Sequence, residues 1–205
     1  MIYKSKVLCF GSFSLLLLLF ACKGNNEKQI LDKEKVNIFN QVFNDNFQII
    51  IDSNNLIGSI LIYNSKKNEY YSNDFERAKT GFLPASTFKV VNSIIGLETG
   101  IIEDEQHLFK WDGTPQRLKN WEADLTLAEA YKRSCVPCYQ SVARGIGIDS
   151  MNYYLQKLAY GNQIVPDSLI DLFWLVGDFQ ISQFEQIDFL QRLYNKELPR
   201  HTYPL

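Results

Sequence analysis

The sequence has few of the residues on which several common chemistries depend. Histidine occurs twice, at His107 and His201, and both lie in polar segments without a Gly-x-Ser-x-Gly motif. A Ser-His-Asp hydrolase is therefore disfavoured. No set of His, Cys, Asp and Glu residues has metal-ligand spacing, so we expect no metal ion. The 21 basic and 23 acidic residues are mixed along the chain, and a net charge of −2 gives no basic surface for nucleic acid.

A long apolar run is also lacking, because the run from Phe13 to Phe20 is too short to span a bilayer comfortably. Lys4 and Lys6 precede it, which is the pattern of a signal peptide. We interpret residues 1–21 as this peptide and expect the protein to be exported.

The end of this segment, Leu19-Phe20-Ala21-Cys22, resembles a bacterial lipobox, although Phe20 is bulkier than that pattern usually has. The resemblance implies that Cys22 is cleaved free and lipidated at its sulfur. Residues 22–35 would then be a polar tether, and the protein would be periplasmic and anchored to the membrane. The alternative is ordinary signal-peptidase cleavage near Ala21, which leaves Cys22 as a thiol.

Cysteine is scarce, with four in 205 residues, but two of the four occur in Cys135-Val136-Pro137-Cys138. This Cys-x-Pro-Cys form is that of thioredoxin-like redox sites. Such a site follows a strand and opens a helix within a βαβ unit, whereas Leu125 to Ser134 has a helical pattern, so a redox role is disfavoured. A local disulfide and two buried thiols both remain open for an exported protein.

The length and the 46% hydrophobic content indicate one globular domain, over residues 36–198, followed by an atypical tail at 199–205. Ile-rich segments and turn residues predict a three-stranded antiparallel meander at Phe47–Ile51, Ser59–Tyr63 and Glu69–Ser72. Helical periodicity predicts helices at Val36–Phe47, from Ser86 to Gly100, and near Leu127–Arg144, Ser150–Leu158 and Phe184–Tyr194. Strands followed by helices indicate the α+β class.

The segment Pro84-Ala85-Ser86-Thr87-Phe88-Lys89 places a hydroxyl and an amine one helical turn apart, on one face. The positive end of the helix dipole favours an alkoxide on Ser86 and a neutral amine on Lys89. A neutral lysine beside a serine hydroxyl can act as a general base. Taken alone, Ser-x-x-Lys also arises by accident with a solvated lysine.

Further motifs follow in a recognisable order. They are Ser86-Thr87-Phe88-Lys89, Gly96-Leu97-Glu98-Thr99-Gly100, Phe109-Lys110-Trp111-Asp112-Gly113, Ser134-x-Val136, Tyr160-Gly161-Asn162 and Trp174-Leu175. This ordered set, from about Phe47 to Tyr194, resembles the class D (oxacillinase-type) serine β-lactamases. The resemblance implies a penicillin-binding-protein/β-lactamase-like fold, with an antiparallel sheet and a helical region, and a β-lactam substrate.

The resemblance also implies catalytic roles. Ser86 would attack the β-lactam carbonyl and become the acyl-enzyme ester. Lys89 would react with carbon dioxide to form a carbamate (N6-carboxylysine) that acts as general base, and no other cofactor would be needed. Ser134 would relay a proton toward the lactam nitrogen.

The remaining motif residues would line the site. Apolar groups that could dry the lysine pocket are Phe88, Val136, Trp174 and Leu175, and the indole N–H of Trp174 could hold the carbamate. Tyr160, Gly161 and Asn162 would form a wall of the substrate cleft. Structural alternatives are a core aromatic for Trp174, a helix cap for Ser134 and a plain turn for Tyr160-Gly161-Asn162.

One motif of the family is missing. Members carry a late Lys-Thr-Gly strand that binds the substrate carboxylate, whereas the only Lys-Thr-Gly here is Lys79-Thr80-Gly81, ahead of the nucleophile. We interpret it as a decoy and the chain as lacking the family's C-terminal strands and closing helix, which would leave an unpaired sheet edge. We therefore expect low activity. A penicillin-binding sensor domain that stays acylated and a non-functional fragment are the two alternatives to an active enzyme.

Overall fold

The computed structural model describes residues 40–198, which form two compact units. One comprises residues 40–42 and 63–71, and the other comprises residues 43–62 and 72–198. Within this part of the chain, no helix is long and apolar enough to cross a membrane. The predictions for residues 1–35 and 199–205 lie outside the described residues.

The sheet carries the largest departures from the predicted elements. Its strands β1 (Asn40–Phe43), β2 (Leu61–Asn64) and β3 (Glu69–Ser72) lie in the order β1-β3-β2. Strand β3 is confirmed as predicted, and β2 begins two residues later than predicted. The meander is wrong, because the first strand lies next to the third.

The helix predicted at Val36–Phe47 is wrong over residues 40–43, while its residues 36–39 lie outside the described part of the chain. The strand predicted at Phe47–Ile51 is also wrong. Residues 40–43 are β1, and helix α1 (Asp45–Ser53) occupies the predicted strand. The side chain of Asn44 caps α1 by accepting a hydrogen bond from the Asn46 N–H. Only Ile51 of α1 is buried, so the sequence signal for this helix is its N-terminal cap and not an apolar face.

The other elements are mainly helical and lie in the second unit. The α-helices are α2 (Phe75–Lys79), α3 (Phe88–Glu98), α4 (Leu127–Lys132), α5 (Val136–Ile146), α6 (Ile148–Lys157) and α7 (Gln183–Tyr194). Short 3-10 helices span Ala85–Thr87, Lys119–Trp121 and Asp167–Leu169, and β4 (Leu108–Phe109) pairs antiparallel with β5 (Leu125–Thr126). The α+β class is confirmed.

The helix predicted near Leu127–Arg144 is two helices, α4 and α5. A capping box of Thr126 and Glu129 starts α4, and Ser134 interrupts the path with a φ of 54°. Pro137 then lies in the first turn of α5, where the missing N–H is tolerated. The break matters because it places Ser134 in a turn.

The core is formed around α3, whose buried face packs against α5. Phe88 is fully buried and contacts the rings of Trp174, Phe173, Tyr160 and Phe179 at centroid distances of 4.9 to 6.0 Å. Large buried aromatic rings contribute most to core stability, so this cluster holds the start of α3 in place.

Candidate active site

Ser86 lies in the 3-10 helix Ala85–Thr87, which leads directly into α3 at Phe88. Ala85 has a φ of 49°, and its N–H donates to the carbonyl of Trp174 at 2.9 Å. Thr87 donates from both its N–H and its Oγ1 to the carbonyl of Pro84. These bonds fix the turn and leave the Ser86 side chain exposed.

Lys89 lies beneath this hydroxyl. Its Nζ is 3.0 Å from Ser86 Oγ, and the residue is only 4% exposed. Burial lowers the pKa of Lys89 because the ammonium loses hydration. No carboxylate pairs with it among residues 40–198, and the Tyr139 ring centroid lies 5.8 Å from Nζ. The surroundings therefore favour the neutral amine, as the sequence predicted.

Ser134 completes a group of three polar side chains. Its Oγ lies 3.4 Å from Ser86 Oγ, across 48 residues of sequence. The Ser134 N–H donates to the carbonyl of Tyr131, and the Cys135 N–H donates to that of Ala130. Backbone hydrogen bonds therefore hold the turn against α4, with the Ser134 hydroxyl next to that of Ser86. Ser134 is not the cap of α5, since Cys135 has that position.

The apolar residues predicted around the lysine take different positions. Phe88 and Trp174 are stacked with centroids 5.4 Å apart, and Trp174 is 1% exposed. Val136, at the start of α5, and Leu175 are half-buried. Hydrogen bonds within residues 40–198 leave the Trp174 indole N–H without an acceptor. Trp174 is thus a core aromatic residue whose indole N–H has no acceptor in this part of the chain.

The segment Tyr160-Gly161-Asn162 is held against residues 178–180. Asn162 exchanges hydrogen bonds with Asp178 and Gln180, at 2.6 to 3.1 Å. Gly161 has a φ of 60°, and a Cβ there would lie 2.5 Å from the Gln180 carbonyl oxygen, so only glycine fits.

The Tyr160 side chain is fully buried. Its hydroxyl accepts from Gln186 Nε2 at 2.6 Å, and burial raises its pKa to about 12. Gln186 also donates to Thr87 Oγ1, so it links Tyr160 to the turn that carries Ser86. Within this segment, Asn162 is the exposed side chain. The role of the segment as a cleft wall stays a prediction.

A mainly apolar cavity of about 750 Å³ opens beside Ser86. Its lining includes Phe82, Leu83, Val90, Tyr131, Ile187 and Leu190. Lys79, from the early Lys-Thr-Gly, does not line this cavity; it lies on α2 and pairs with Glu76 at 2.6 Å. This placement agrees with its interpretation as a decoy.

Sequence reasoning missed two polar residues that follow Lys89 on α3. Asn92 donates to the carbonyl of Tyr139 at 3.0 Å, and Ser93 lies within hydrogen-bond distance of the Tyr139 hydroxyl. The signal was present, because these residues follow Lys89 by three and four positions on an otherwise apolar helix face. They tie α3 to α5 and so set the distance between the two halves of the site.

Comparisons with known proteins agree with this geometry. Residues 49–201 match the family described as the penicillin binding protein transpeptidase domain. Beta-lactamase OXA-10 of Pseudomonas aeruginosa is 47% identical over 141 residues, which cover 69% of this chain and 53% of that protein. Regulatory protein BlaR1 of Bacillus licheniformis is 32% identical over 155 residues, 75% of this chain and 25% of that protein.

Among solved structures, a class D beta-lactamase from Sebaldella termitidis ATCC 33386 is similar with a TM-score of 0.75 and 39% identity, over 80% of this chain and 65% of that one. The chain spans about half the length of the class D enzymes with which it shares 43–47% identity. The sequence motifs, the Ser86, Lys89 and Ser134 geometry and these likenesses lead to one assignment: the chain belongs to the penicillin-binding-protein transpeptidase family, among its class D β-lactamases.

Proposed function

We propose that the protein opens β-lactam rings through an acyl-serine intermediate. The observation that carries this proposal is an exposed Ser86 hydroxyl 3.0 Å above the buried amine of Lys89. An unprotonated amine at that distance can accept the hydroxyl proton as the serine attacks. The apolar cavity beside Ser86 is large enough for a small bicyclic substrate.

The chemistry can be followed with these residues alone. Ser86 Oγ bonds to the lactam carbonyl carbon, and its proton passes to the base at Lys89. The carbon–nitrogen bond of the ring then breaks, and Ser134, whose Oγ is 3.4 Å from Ser86 Oγ, delivers its proton to the nitrogen. Ser134 takes back the proton held at Lys89, which restores the base. A water activated by the same base cleaves the ester and regenerates Ser86.

We further propose that Lys89 carries a carbamate when carbon dioxide is available. Carbamylation needs a neutral amine, and burial, which lowers the pKa of Lys89, favours that form. The new carboxylate would place a negatively charged proton acceptor at the same position. In keeping with the family resemblance, we assign the Trp174 indole N–H as the donor to one of the carbamate oxygens.

Replacing Trp174 with phenylalanine tests the carbamate directly. We expect ring stacking on Phe88 to survive, and the carbamate to lose roughly 1.5 to 3 kcal/mol, the usual contribution of a hydrogen bond to a charged group. The bicarbonate concentration for half-maximal activity should rise at least tenfold, and the ¹³C NMR signal of the carbamate should weaken. Trp111→Phe, which removes an indole N–H bonded to Thr114, is the control. An unchanged bicarbonate response in Trp174→Phe would contradict the assignment.

Hydrolysis of a chromogenic cephalosporin by the purified chain tests the function, with mass spectrometry of the protein afterwards. Turnover with a transient adduct on Ser86 supports the enzyme. An adduct that persists supports the second candidate, a penicillin-binding sensor, which the likeness to regulatory protein BlaR1 favours. Neither turnover nor adduct would indicate a non-functional fragment.

We propose that turnover is slow and substrate binding weak. Lys79, of the early Lys-Thr-Gly, is engaged by Glu76 outside the cavity. No lysine lines the Ser86 cavity to pair with a substrate carboxylate, among the described residues. Ser86 can therefore be correctly placed for attack while the substrate is bound weakly.

We propose that the protein is exported and anchored through lipidated Cys22. Detergent extraction of producing bacteria followed by intact-mass measurement should give a mature chain that begins at Cys22 and carries lipid. Cys22→Ser should release the protein into the soluble periplasmic fraction, while Cys9→Ser should not. An unmodified soluble chain starting near Cys22 would overturn this proposal.

A further inference from the structure

A disulfide lies next to the proposed proton-relay serine. Cys135 and Cys138 are bonded, so of the two states left open by the sequence the structure has the disulfide. Cys135 is fully buried and Cys138 is 9% exposed. Because Cys135 directly follows Ser134, the crosslink joins the catalytic turn to the first turn of α5.

The Ser134 turn needs outside support. A φ of 54° is uncommon for a residue other than glycine, and it persists only where the surroundings impose it. On the α4 side, backbone bonds to Ala130 and Tyr131 hold the turn, and Trp121 Nε1 donates to the carbonyl of Arg133 at 3.0 Å. On the α5 side, the turn is held by the disulfide, by the bond from the Cys138 N–H to Cys135 Sγ, and by the bond from the Tyr139 N–H to the Cys135 carbonyl at 3.3 Å.

A second cavity gives access to the same disulfide. It has a volume of about 340 Å³, is lined by both cysteines and Pro137, and includes polar groups of Ser141 and Arg144. None of its lining residues belongs to the apolar cavity beside Ser86. A small dithiol can therefore approach the disulfide without occupying the substrate site. Exchange requires such access for the attacking thiolate.

We propose that the Cys135–Cys138 disulfide is a positioning element for Ser134 and makes the site sensitive to reduction. A dithiol reductant would transfer two electrons and two protons, breaking the S–S bond to give two thiols while it is itself oxidised to a disulfide. The backbone bonds to α4 would remain. The α5 side of the turn would loosen, and the Ser134 hydroxyl would no longer be held 3.4 Å from Ser86 Oγ.

This inference rests on the proposed acyl-serine function, so acylation is the quantity to measure. The rate of covalent labelling by a fluorescent penicillin, followed over a range of concentrations, separates the binding constant from the acylation rate constant. We expect excess dithiothreitol to lower the acylation rate constant roughly 10- to 100-fold, as displacement of a catalytic group does, and to change the binding constant less than about threefold. Circular dichroism melting in both states shows that the protein remains folded.

Three variants distinguish positioning from a general structural effect. Cys135→Ser/Cys138→Ser should show the reduced rate and no response to dithiothreitol, which also controls for Cys9 and Cys22. Cys135→Ala/Cys138→Val, which refills the buried site with apolar groups, should show the same reduced acylation rate constant and the same lack of response to dithiothreitol. In Ser134→Ala, reduction of the disulfide should lower the acylation rate constant only slightly further, because two changes that act through one group are not additive.

The outcomes are distinct. Equal acylation rate constants in the oxidised and reduced wild-type chain would overturn the positioning role, as would full activity in either double variant. A loss of the same size on reducing Ser134→Ala would also overturn it. Absence of any labelling in the oxidised chain would overturn the proposed function, and this inference with it.

Discussion

Ser86→Ala is expected to abolish both covalent labelling by penicillin and hydrolysis. In this site the exposed Ser86 hydroxyl is the one within 3.0 Å of a buried amine, so removal of its oxygen removes the bond-forming atom. In a serine hydrolase, loss of the nucleophile costs on the order of 10⁶-fold in kcat. Labelling gels and intact mass would therefore show no adduct.

Two neighbouring hydroxyls could be suggested as substitutes, and the structure argues against both. Thr87 Oγ1 is engaged by the carbonyl of Pro84 at 2.7 Å, and Ser134 is 3.4 Å from Ser86 Oγ, in the place of a relay. Ser53→Ala, an exposed change at the end of α1, serves as the matched control and should label like wild type. Labelling retained in Ser86→Ala would disprove the assignment of the nucleophile.

The prediction for Ser86 could be made from sequence because the pair is local. A serine and a lysine three residues apart in a helical turn must share a face, and the apolar residues after them imply burial. The same reasoning failed at residues 47–51. Three consecutive isoleucines, Ile49 to Ile51, suggested a strand, but Asn44 and Asp45 form a helix start, and two of the three isoleucines are exposed.

Long-range parts of the site were accessible only through family resemblance. Ser134 and Ser86 are in contact although 48 residues separate them, and Trp174 stacks on Phe88 from a segment far away in the sequence. Neither contact can be predicted from the periodicity of the sequence. The break between α4 and α5 was also missed, although Pro137 lies in the interior of the helix predicted near Leu127–Arg144, where proline interrupts a helix. Gln186, which joins Thr87 to Tyr160, carried no motif at all.

The activity that remains should depend on bicarbonate and on pH through Lys89. Burial lowers the pKa of Lys89, so its neutral form persists to lower pH than that of an exposed lysine. Below that lowered pKa the amine is protonated and cannot react with carbon dioxide, and acid also returns a carbamate to the amine. Hydrolysis should therefore rise with added bicarbonate and fall as the pH decreases.

The same shift has a definite sign for stability. The unfolded chain binds a proton at Lys89 at pH values where the folded chain has released it, so the free energy of unfolding should rise with pH between the lowered pKa and the ordinary value of 10.5. Lys89→Met should remove this slope and abolish turnover. Chemical denaturation at several pH values measures the first effect separately from the second.

Lys79→Ala is the matched control for Lys89. Lys79 lies on α2 beside Glu76 and outside the Ser86 cavity, so its removal should leave both the bicarbonate response and the KM unchanged. A raised KM in Lys79→Ala would instead identify the early Lys-Thr-Gly as a substrate contact.

Bicarbonate should rescue the base without making the chain a fast enzyme. Within residues 40–198, the cavity beside Ser86 offers no lysine for the substrate carboxylate, so the substrate stays weakly held whatever the state of the base. We therefore expect a low kcat/KM at saturating bicarbonate, with KM well above that of a variant that carries a late Lys-Thr-Gly strand. Rapid hydrolysis that does not depend on bicarbonate would contradict two assignments. The general base would not be a carbamate on Lys89, and substrate would be bound tightly without a lysine in the cavity.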